Sequence, residues 1–398
     1  ENELADAVGL SERVLADSAA PASAVEWAVF GGALALALQG RRNDVAAVAE
    51  RGRQNENKLA GLLRYLMAFG EIRALVVTGD FETAEQRSAD IVRISSPGQY
   101  LAWGMANVLA GTVEVARGRF VDALSRMEQT VAALTSESAA SWSYPARLLL
   151  AQSYCVLGRV EPGAKMIAEL RTRSGRHVAV FKPQQRIAES WLAAAQGSVS
   201  IAIETALDAA QSAKSSGQIA IEMLALHDAA RFGDRSCLER LAEVAGSVDG
   251  PLARTHAAYA AALLDRDGTE LYAVAQQFEQ IGARLSAADA AAQAAEIFVD
   301  RNDRRGAAEA AAAADRIAAE CGGLQTPALI RAAQPLPLTI REREIANLVA
   351  AGLSNLEIAE LLVVSPRTVE GHIYRACGKL DVSSRDALAE VIRRGSGG

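Results

Sequence analysis

Arg367, Glu370, Gly371 and Tyr374 follow one another at helical spacing, so that in a helix all four share one face. The chemistry they offer is recognition of base edges in a nucleic-acid groove. Two effects compete at Glu370. A carboxylate repels phosphate, yet it can accept a hydrogen bond from a cytosine amino group. Thr368, His372, Arg375 and Lys379 lie on the flanks of the same helix, where donors meet phosphate oxygens. Val369, Ile373, Cys377 and Leu380 make up the opposite, inward face.

The elements that must position these residues can be read from their caps. Thr339 followed by Glu342, and Ser354 followed by Glu357, have capping-box spacing and open two short helices. Ile345, Leu348 and Val349 give the first an apolar face, and Gly352 stops it. Ile358, Leu361 and Leu362 turn inward from the second. Ser365 caps the third, with Pro366 at a position where a missing amide costs nothing. Ser383 and Asp386 start a fourth, carrying Ala387, Leu388, Val391 and Ile392. Only Val363 to Ser365 separate the second helix from the third, so the two cross steeply. That is helix-turn-helix geometry, whose second helix enters the DNA major groove N-terminus first.

This segment resembles the LuxR-type DNA-binding domain. The residues that carry the resemblance include Leu338, Thr339, Arg341, Glu342, Glu344, Gly352, Ser354, Asn355, Glu357, Ile358, Ala359, Leu362, Ser365, Thr368, Val369, His372, Lys379, Leu380, Val382 and Arg385. The resemblance implies that the third helix reads bases, with Ser354 and Asn355 joining the flank residues on phosphates. It also implies that the fourth helix pairs two subunits on an inverted repeat. Leu388, Val391 and Ile392 are the expected pairing residues, since so small a domain has limited room to bury all three. One departure matters: Glu370 and Gly371 stand where many members carry lysine after the Thr-Val pair, so base preference does not transfer.

The chain has 398 residues, half of them hydrophobic and few aromatic, a composition of packed helices in two or more domains. The formal net charge is −7. From Leu338 onward eight Lys and Arg balance eight Asp and Glu, so the excess acid lies upstream. Binding of DNA by such an end depends on local placement of cations and on dimerisation. Cys155, Cys237, Cys321 and Cys377 have no zinc-site spacing and read as reduced structural thiols of a cytoplasmic protein. The most apolar run, Ala28 to Leu38, is too short to span a bilayer. No lysine stands in a Gly-x4-Gly-Lys-Ser/Thr frame, and His177, His227, His256 and His372 have no partner at metal or catalytic spacing. No metal site and no enzymatic activity are expected.

Upstream, a repeat emerges when the turn glycines are aligned. Gly40, Gly79, Gly118, Gly158, Gly197, Gly233 and Gly268 each end a long apolar helix and precede a shorter amphipathic one, and Asn302 continues the series. The intervals run from 34 to 40 residues, with two helices per unit, which means an α-solenoid over residues 1–320. It resembles tetratricopeptide-like repeats. Trp27, Trp103, Trp142 and Trp191 fall in first helices and read as core packing; Trp142 with Tyr144 is the best candidate for a ligand platform on the concave face. Run backwards, the same ruler makes residues 1–16 the second helix of a unit, as in a piece of a longer polypeptide. Residues 321–337, with three prolines and two glycines, read as a linker to the domain at 338–394.

The expected protein is therefore all-α, an α-solenoid followed by a four-helix domain. The combination resembles large ATP-binding LuxR regulators. That implies a transcription factor that binds double-stranded DNA as a homodimer, with an ATP site in a portion upstream of Glu1. The repeat array would take a small-molecule inducer or a protein partner, with no membrane attachment. The alternative expectation is a helical-repeat scaffold whose terminal domain no longer reads DNA.

Overall fold

The computed structural model describes residues 3–54, 62–96, 98–134, 140–173, 175–334 and 336–395, all helical or in turns. Glu1, Pro335 and the glycine-rich tail from residue 396, used in the sequence reading, lie outside them, as does the His177 side chain. The first helix, α1 (Glu3–Ala16), packs on α2 (Ala22–Leu38), with Ser11 Oγ donating to the Ala28 carbonyl at 2.7 Å. Eight helical hairpins follow: α2 with α3 (Arg42–Gln54), α4 (Leu63–Thr78) with α5 (Phe81–Ile94), α6 (Tyr100–Ala116) with α7 (Phe120–Ala133), and α8 (Ala140–Val156) with α9 (Val160–Arg171). After the single turn α10 (Arg176–Ala179) come α11 (Lys182–Ala195) with α12 (Val199–Ser215), α13 (Ile219–Phe232) with α14 (Leu238–Ala245), α15 (Pro251–Leu264) with α16 (Gly268–Ile281), and α17 (Arg284–Asp300) with α18 (Arg304–Glu320).

The first helix of each hairpin contacts the first helix of the next through α13, so these helices form an inner layer and are apolar around most of their circumference. In α13 and α17 nearly every residue is buried, and alanines from Ala287 to Ala295 allow neighbouring axes to approach closely. The second helices bury one stripe only, as α5 does with Phe81, Ala84, Ser88 and Ile91.

The hairpin turns explain the glycine ruler. Gly40, Gly79, Gly118, Gly158, Gly197 and Gly233 all have φ between 70° and 118°. The eighth turn uses Asn302 at φ 60°. At the seventh the reading needs correction: Arg266 takes the left-handed position, and Gly268 is the first residue of α16, close against the Phe298 ring. The turns also touch what comes one superhelical coil later. Asp249 N donates to the Gly40 carbonyl at 3.0 Å, and Gln325 N donates to the Val156 carbonyl at 2.8 Å. A Cβ on Gly40 would meet Val248, and one on Gly118 would meet Cys321. The array thus coils upon itself after about five hairpins, which encloses the inner layer.

The described residues of 321–337, expected to be a linker, continue the packed body instead. Thr326 caps α19 (Pro327–Ala333) and donates to the buried Asp289, while Leu324, Ala328 and Leu329 are buried against the last hairpins. Gly322, Gly323 and Pro327 shape a capping turn rather than a spacer. Pro327 sits at the start of α19, where it lacks only an amide that a helix leaves unpaired.

The C-terminal domain consists of α20 (Ile340–Ala350), α21 (Asn355–Leu361), α22 (Pro366–Lys379) and α23 (Arg385–Gly395). Both predicted capping boxes form. Ser365 caps α22 as expected, whereas at α23 it is Ser384, not Ser383, whose hydroxyl accepts from the Ala387 amide at 3.1 Å.

A matched pair of substitutions separates the two duties of a turn glycine. At Gly197 (φ 78°) nothing lies within 4 Å of an added Cβ, so Gly197→Ala should cost about 1 kcal/mol for the left-handed conformation alone. At Gly79 (φ 86°) the Cβ would stand 2.7 Å from Leu252 Cβ and 3.0 Å from Leu252 N. Gly79→Ala should cost roughly 2 kcal/mol more, because a backbone contact cannot move aside. Urea denaturation of the two variants checks the order; equal losses would mean that the coils are not in contact there.

Candidate nucleic-acid interface

The turn before α22 is made by Val363, whose φ of 53° is unusual for a branched residue and whose side chain is exposed. It reverses the chain sharply enough for α21 and α22 to pack across a shared core of Ile358, Ala359, Leu362 and Val369, to which Ile345 and Val349 of α20 contribute. The N-terminus of α22 is left open to solvent. Ser365 Oγ accepts from the Thr368 amide at 3.1 Å and lies 2.8 Å from the Thr368 hydroxyl.

Arg367, Glu370 and Tyr374 all project from the exposed face of α22, Tyr374 with 81% of its surface free, and Gly371 lies between them half-buried. The four expected base-reading residues are therefore brought together on one face. Among the flank residues, Thr368 is exposed and His372 half-buried. His372 Nδ1 lies 2.9 Å from Arg375 Nη2, and burial together with the Arg375 and Arg341 charges lowers the imidazole pKa. Arg375 and Lys379 both turn toward Glu342 of α20, at 3.6 Å and 2.7 Å, so these cations share an internal carboxylate. Ser354 is committed to its capping box, and the Asn355 side-chain oxygen accepts from Arg385, whose other nitrogen holds the Leu353 carbonyl.

Glu342 links two jobs, capping α20 and holding the end of α22. Burial pushes its pKa up, but the Lys379 ammonium and the Thr339 amide and hydroxyl outweigh this and leave it below the ordinary value.

The pairing residues need correction. Leu388 is 0% exposed and Ile392 is likewise buried, both packed with Ala346 and Ala376 in the domain's second apolar cluster. The small side chains Ala346 and Ala376 leave a groove between α20 and α22 that α23 fills, so there is room for these two residues inside. Val391 alone of the three stays half-exposed.

Sequence reasoning missed the docking of this domain on the repeats. Glu344, 1% exposed, accepts from Ser200 N at 3.2 Å and from Ser200 Oγ at 2.6 Å, and pairs with Arg341 at 2.6 Å. Ile201 packs into the domain's core, and Ile340 meets the Gly233 turn. Ser200 is 144 residues away, and a single serine near a helix start carries no signal of such a partner. The aromatic platform is also corrected: Trp142 stacks edge-on against Phe69 at 5.0 Å, and Tyr144 is buried with its hydroxyl donating to Gln185 at 2.7 Å.

Residues 336–392 match the family described as bacterial regulatory proteins, luxR family, and form a LuxR-family helix-turn-helix domain. Over 60 residues the chain is 50% identical to a putative HTH-type transcriptional regulator of Mycobacterium bovis, a match that covers 15% of this chain and 7% of that one. It is 51% identical over 57 residues to the tetrathionate response regulatory protein TtrR of Salmonella typhimurium, covering 14% and 26%. It is 45% identical over 75 residues to a probable transcriptional regulatory protein NarL of Mycobacterium tuberculosis, covering 18% and 35%. Among solved structures, a Rap protein complexed with competence and sporulation factor aligns over 90% of this chain and 100% of that chain, at TM-score 0.41 and 12% identity.

Two outcomes are expected. Glu344→Gln exchanges a charged acceptor for an amide against Ser200 and Arg341, at a cost of about 1–3 kcal/mol. Hydrogen exchange should then rise at residues 199–204 and 340–346, while α21–α23 keep their protection; unchanged exchange would show that the docking does not depend on this carboxylate. The Glu342 contribution follows its depressed pKa: it is present above the ordinary value of 4.5 and is lost as pH falls through the lower folded value. Urea midpoints from neutral pH into the acid limb should show Glu342→Gln less stable at neutral pH by about 1 kcal/mol or less, and less sensitive to acid.

Proposed function

We propose that this protein is a transcriptional regulator of the cytoplasm that binds promoter DNA by inserting α22 into the major groove, with the repeat superhelix as its sensing or interaction half. The observation that carries the reading is the exposure of Arg367, Glu370 and Tyr374 on α22 while the same domain is docked to the repeats through α20. The docking hydrogen bonds are made by Glu344 of α20, not by these side chains. The luxR-family match and the regulator relatives support DNA binding as the domain's task. Among the described residues no helix is long and apolar enough to cross a membrane.

In this reading Arg367, Glu370, Gly371 and Tyr374 meet base edges. Ser354, Asn355, Thr368, His372 and Arg375 face phosphates. Lys379 contributes less, since Glu342 already neutralises it. Two copies pair on an inverted repeat through the outer edge of α23 around Val391, the member of the expected set that the domain leaves partly open. The domain is neutral overall, so affinity for random DNA is low and recognition depends on placement. The second reading, a scaffold without DNA recognition, is separated by titrating labelled promoter fragments at several salt concentrations. A specific complex with a measurable salt slope supports the regulator, and none for any fragment supports the scaffold.

Base reading rests most on Glu370. Glu370→Gln should tighten binding to random DNA, by removing a negative charge near phosphates. It should also relax specificity at one base pair of each half-site, by roughly 1–3 kcal/mol. Arg375→Ala should weaken all sequences alike and reduce the salt slope by about one. Selection on randomised half-sites checks both. Identical base preferences for wild type and Glu370→Gln would remove Glu370 from the reading face.

A further inference from the structure

We propose that the interior of the repeat superhelix is a binding site for a small carboxylic acid with an apolar body, whose carboxylate is held by Arg73. The inference rests on the reading of the repeats as the sensing half and names the class of ligand that half would sense.

A cavity of about 230 Å³ lies among the inner helices, bounded by α4, α6, α8, α11, α13, α15 and α17. Its walls are mostly aliphatic, as at Val76, Leu149 and Leu224. An apolar cavity of roughly 150 Å³ accepts benzene, so by volume this one has room for roughly nine or ten non-hydrogen atoms. Such walls bind the body of a ligand and say nothing of its polar end.

The polar end is specified by Arg73. It rises from the middle of α4, is half-buried, and lines the cavity. Among the described residues no carboxylate pairs with it, and its Nε has no acceptor. Its guanidinium lies 5.3 Å from the Phe69 ring and 5.7 Å from the Phe181 ring, a cation–π seat that holds the charge without neutralising it. With the Gln184 amide turned to donate to the Val180 carbonyl, its oxygen accepts from Arg73 Nη2 at 3.1 Å. That leaves Nη1 and the second hydrogen of Nη2 for an anion, while the buried Nε stays out of the cavity's reach. Burial of the unpaired charge pulls the Arg73 pKa down to about 10, so it is still a cation at neutral pH.

The other charged groups at the cavity are already paired. Asp228 accepts from Trp191 Nε1 at 3.0 Å and pairs with Arg231, which also pairs with Asp289 and donates to Ser286. His227 and His256 lie with ring centroids 4.3 Å apart, and burial keeps both neutral, His256 with a pKa lowered to about 3. The Nδ1 of His256 is buried without a hydrogen-bond partner among the described residues. One free guanidinium among aliphatic walls suits a single negative charge. A phosphate dianion would bring a second charge into the same walls with no cation to meet it.

The test measures binding to the full chain without DNA, so a failure of promoter recognition and a failure of this proposal are seen separately. Benzoate, phenylacetate and hexanoate are titrated by calorimetry and thermal melting, each beside its neutral amide. At least one acid should bind one per chain with a saturable rise in melting temperature, and its amide at least tenfold more weakly. Arg73→Met should weaken the acid on the order of ten- to a hundredfold, with a melting temperature of the unliganded protein no lower than wild type, since an unpaired buried charge has gone. Ala116→Phe, which fills the cavity from α6, should block every ligand and covers the case in which Arg73→Met fails to fold. Absence of binding by all three acids at millimolar concentration, equal binding of acid and amide, or wild-type binding by a folded variant would each overturn the proposal.

Discussion

The rest of the structure depends on close approach between turns one superhelical coil apart. Most hairpin turns reverse the chain in two or three residues, and several must also let a later part of the chain come within van der Waals distance. A glycine meets both needs at Gly40, Gly79, Gly118 and Gly158. Where only the reversal is needed, as at Asn302, a residue with a side chain suffices. Because the coils touch, the inner helices are covered from both sides and can be apolar all round. The same closure creates an interior, which an open arc of hairpins would not have. The C-terminal domain then takes the next places in the series, with α20 against the fifth turn at Ser200 and against the sixth at Gly233.

That placement gives α13 two neighbourhoods. Its middle presents His227, Asp228 and Arg231 to the cavity, and its end at Phe232 and Gly233 meets Arg331 and Ile340. Arg331 donates to the Phe232 carbonyl at 3.2 Å and pairs with Glu296, while Arg343 of α20 donates to the Gln334 carbonyl at 2.8 Å, just beyond α19. The capping segment once expected to be a spacer is therefore a rigid contact between the two halves. A spacer would let the DNA-reading domain tumble independently, whereas packed helices transmit a displacement because interiors are dense. Any change in the spacing of α13 from α17 falls on Arg231, Ser286 and Asp289 first, since these tie the two helices together.

Much of this was legible in the residues, and what was not has physical reasons. Caps are local: Thr339 with Glu342 and Ser354 with Glu357 fix helix starts within four residues, and the structure forms both. The repeat was legible because left-handed turns demand a narrow set of residues, and it slipped at Gly268 because Arg266 tolerated the strain two residues earlier. Contacts across the superhelix have no such grammar. Ser200 with Glu344, and Asp289 with Thr326, join residues far apart through ordinary side chains. Proline and glycine between residues 321 and 337 misled because they mark a change of direction, and a change of direction can be packed as well as free. The burial of Leu388 and Ile392 was misjudged because it depends on the size of residues on two other helices. Arg73 left no trace, since Glu71 stands two residues before it, and its solitude shows only when the surrounding helices are in place.

Electrostatics sets how the two halves can work together in the proposed regulator. All the excess negative charge lies in the repeats, and the terminal domain is neutral. Held rigidly beside an acidic body, a neutral domain gains nothing from the body's field and loses affinity for any DNA segment within about a Debye length of it, roughly 8 Å at physiological salt. The reading face must therefore point away from the repeats; the docking bonds lie on α20, and Arg367, Glu370 and Tyr374 of α22 stay exposed. The same geometry forbids most sideways encounters with phosphate, so what binding remains is weighted toward the few side chains of α22 that reach base edges. A carboxylate at Glu370 belongs to the same economy: it worsens every nonspecific contact and is tolerable only where a specific acceptor is wanted. Low nonspecific affinity thus follows from the charge distribution and the docking from the contacts at Ser200 and Gly233, and a domain swung free on a flexible spacer would keep only the first constraint.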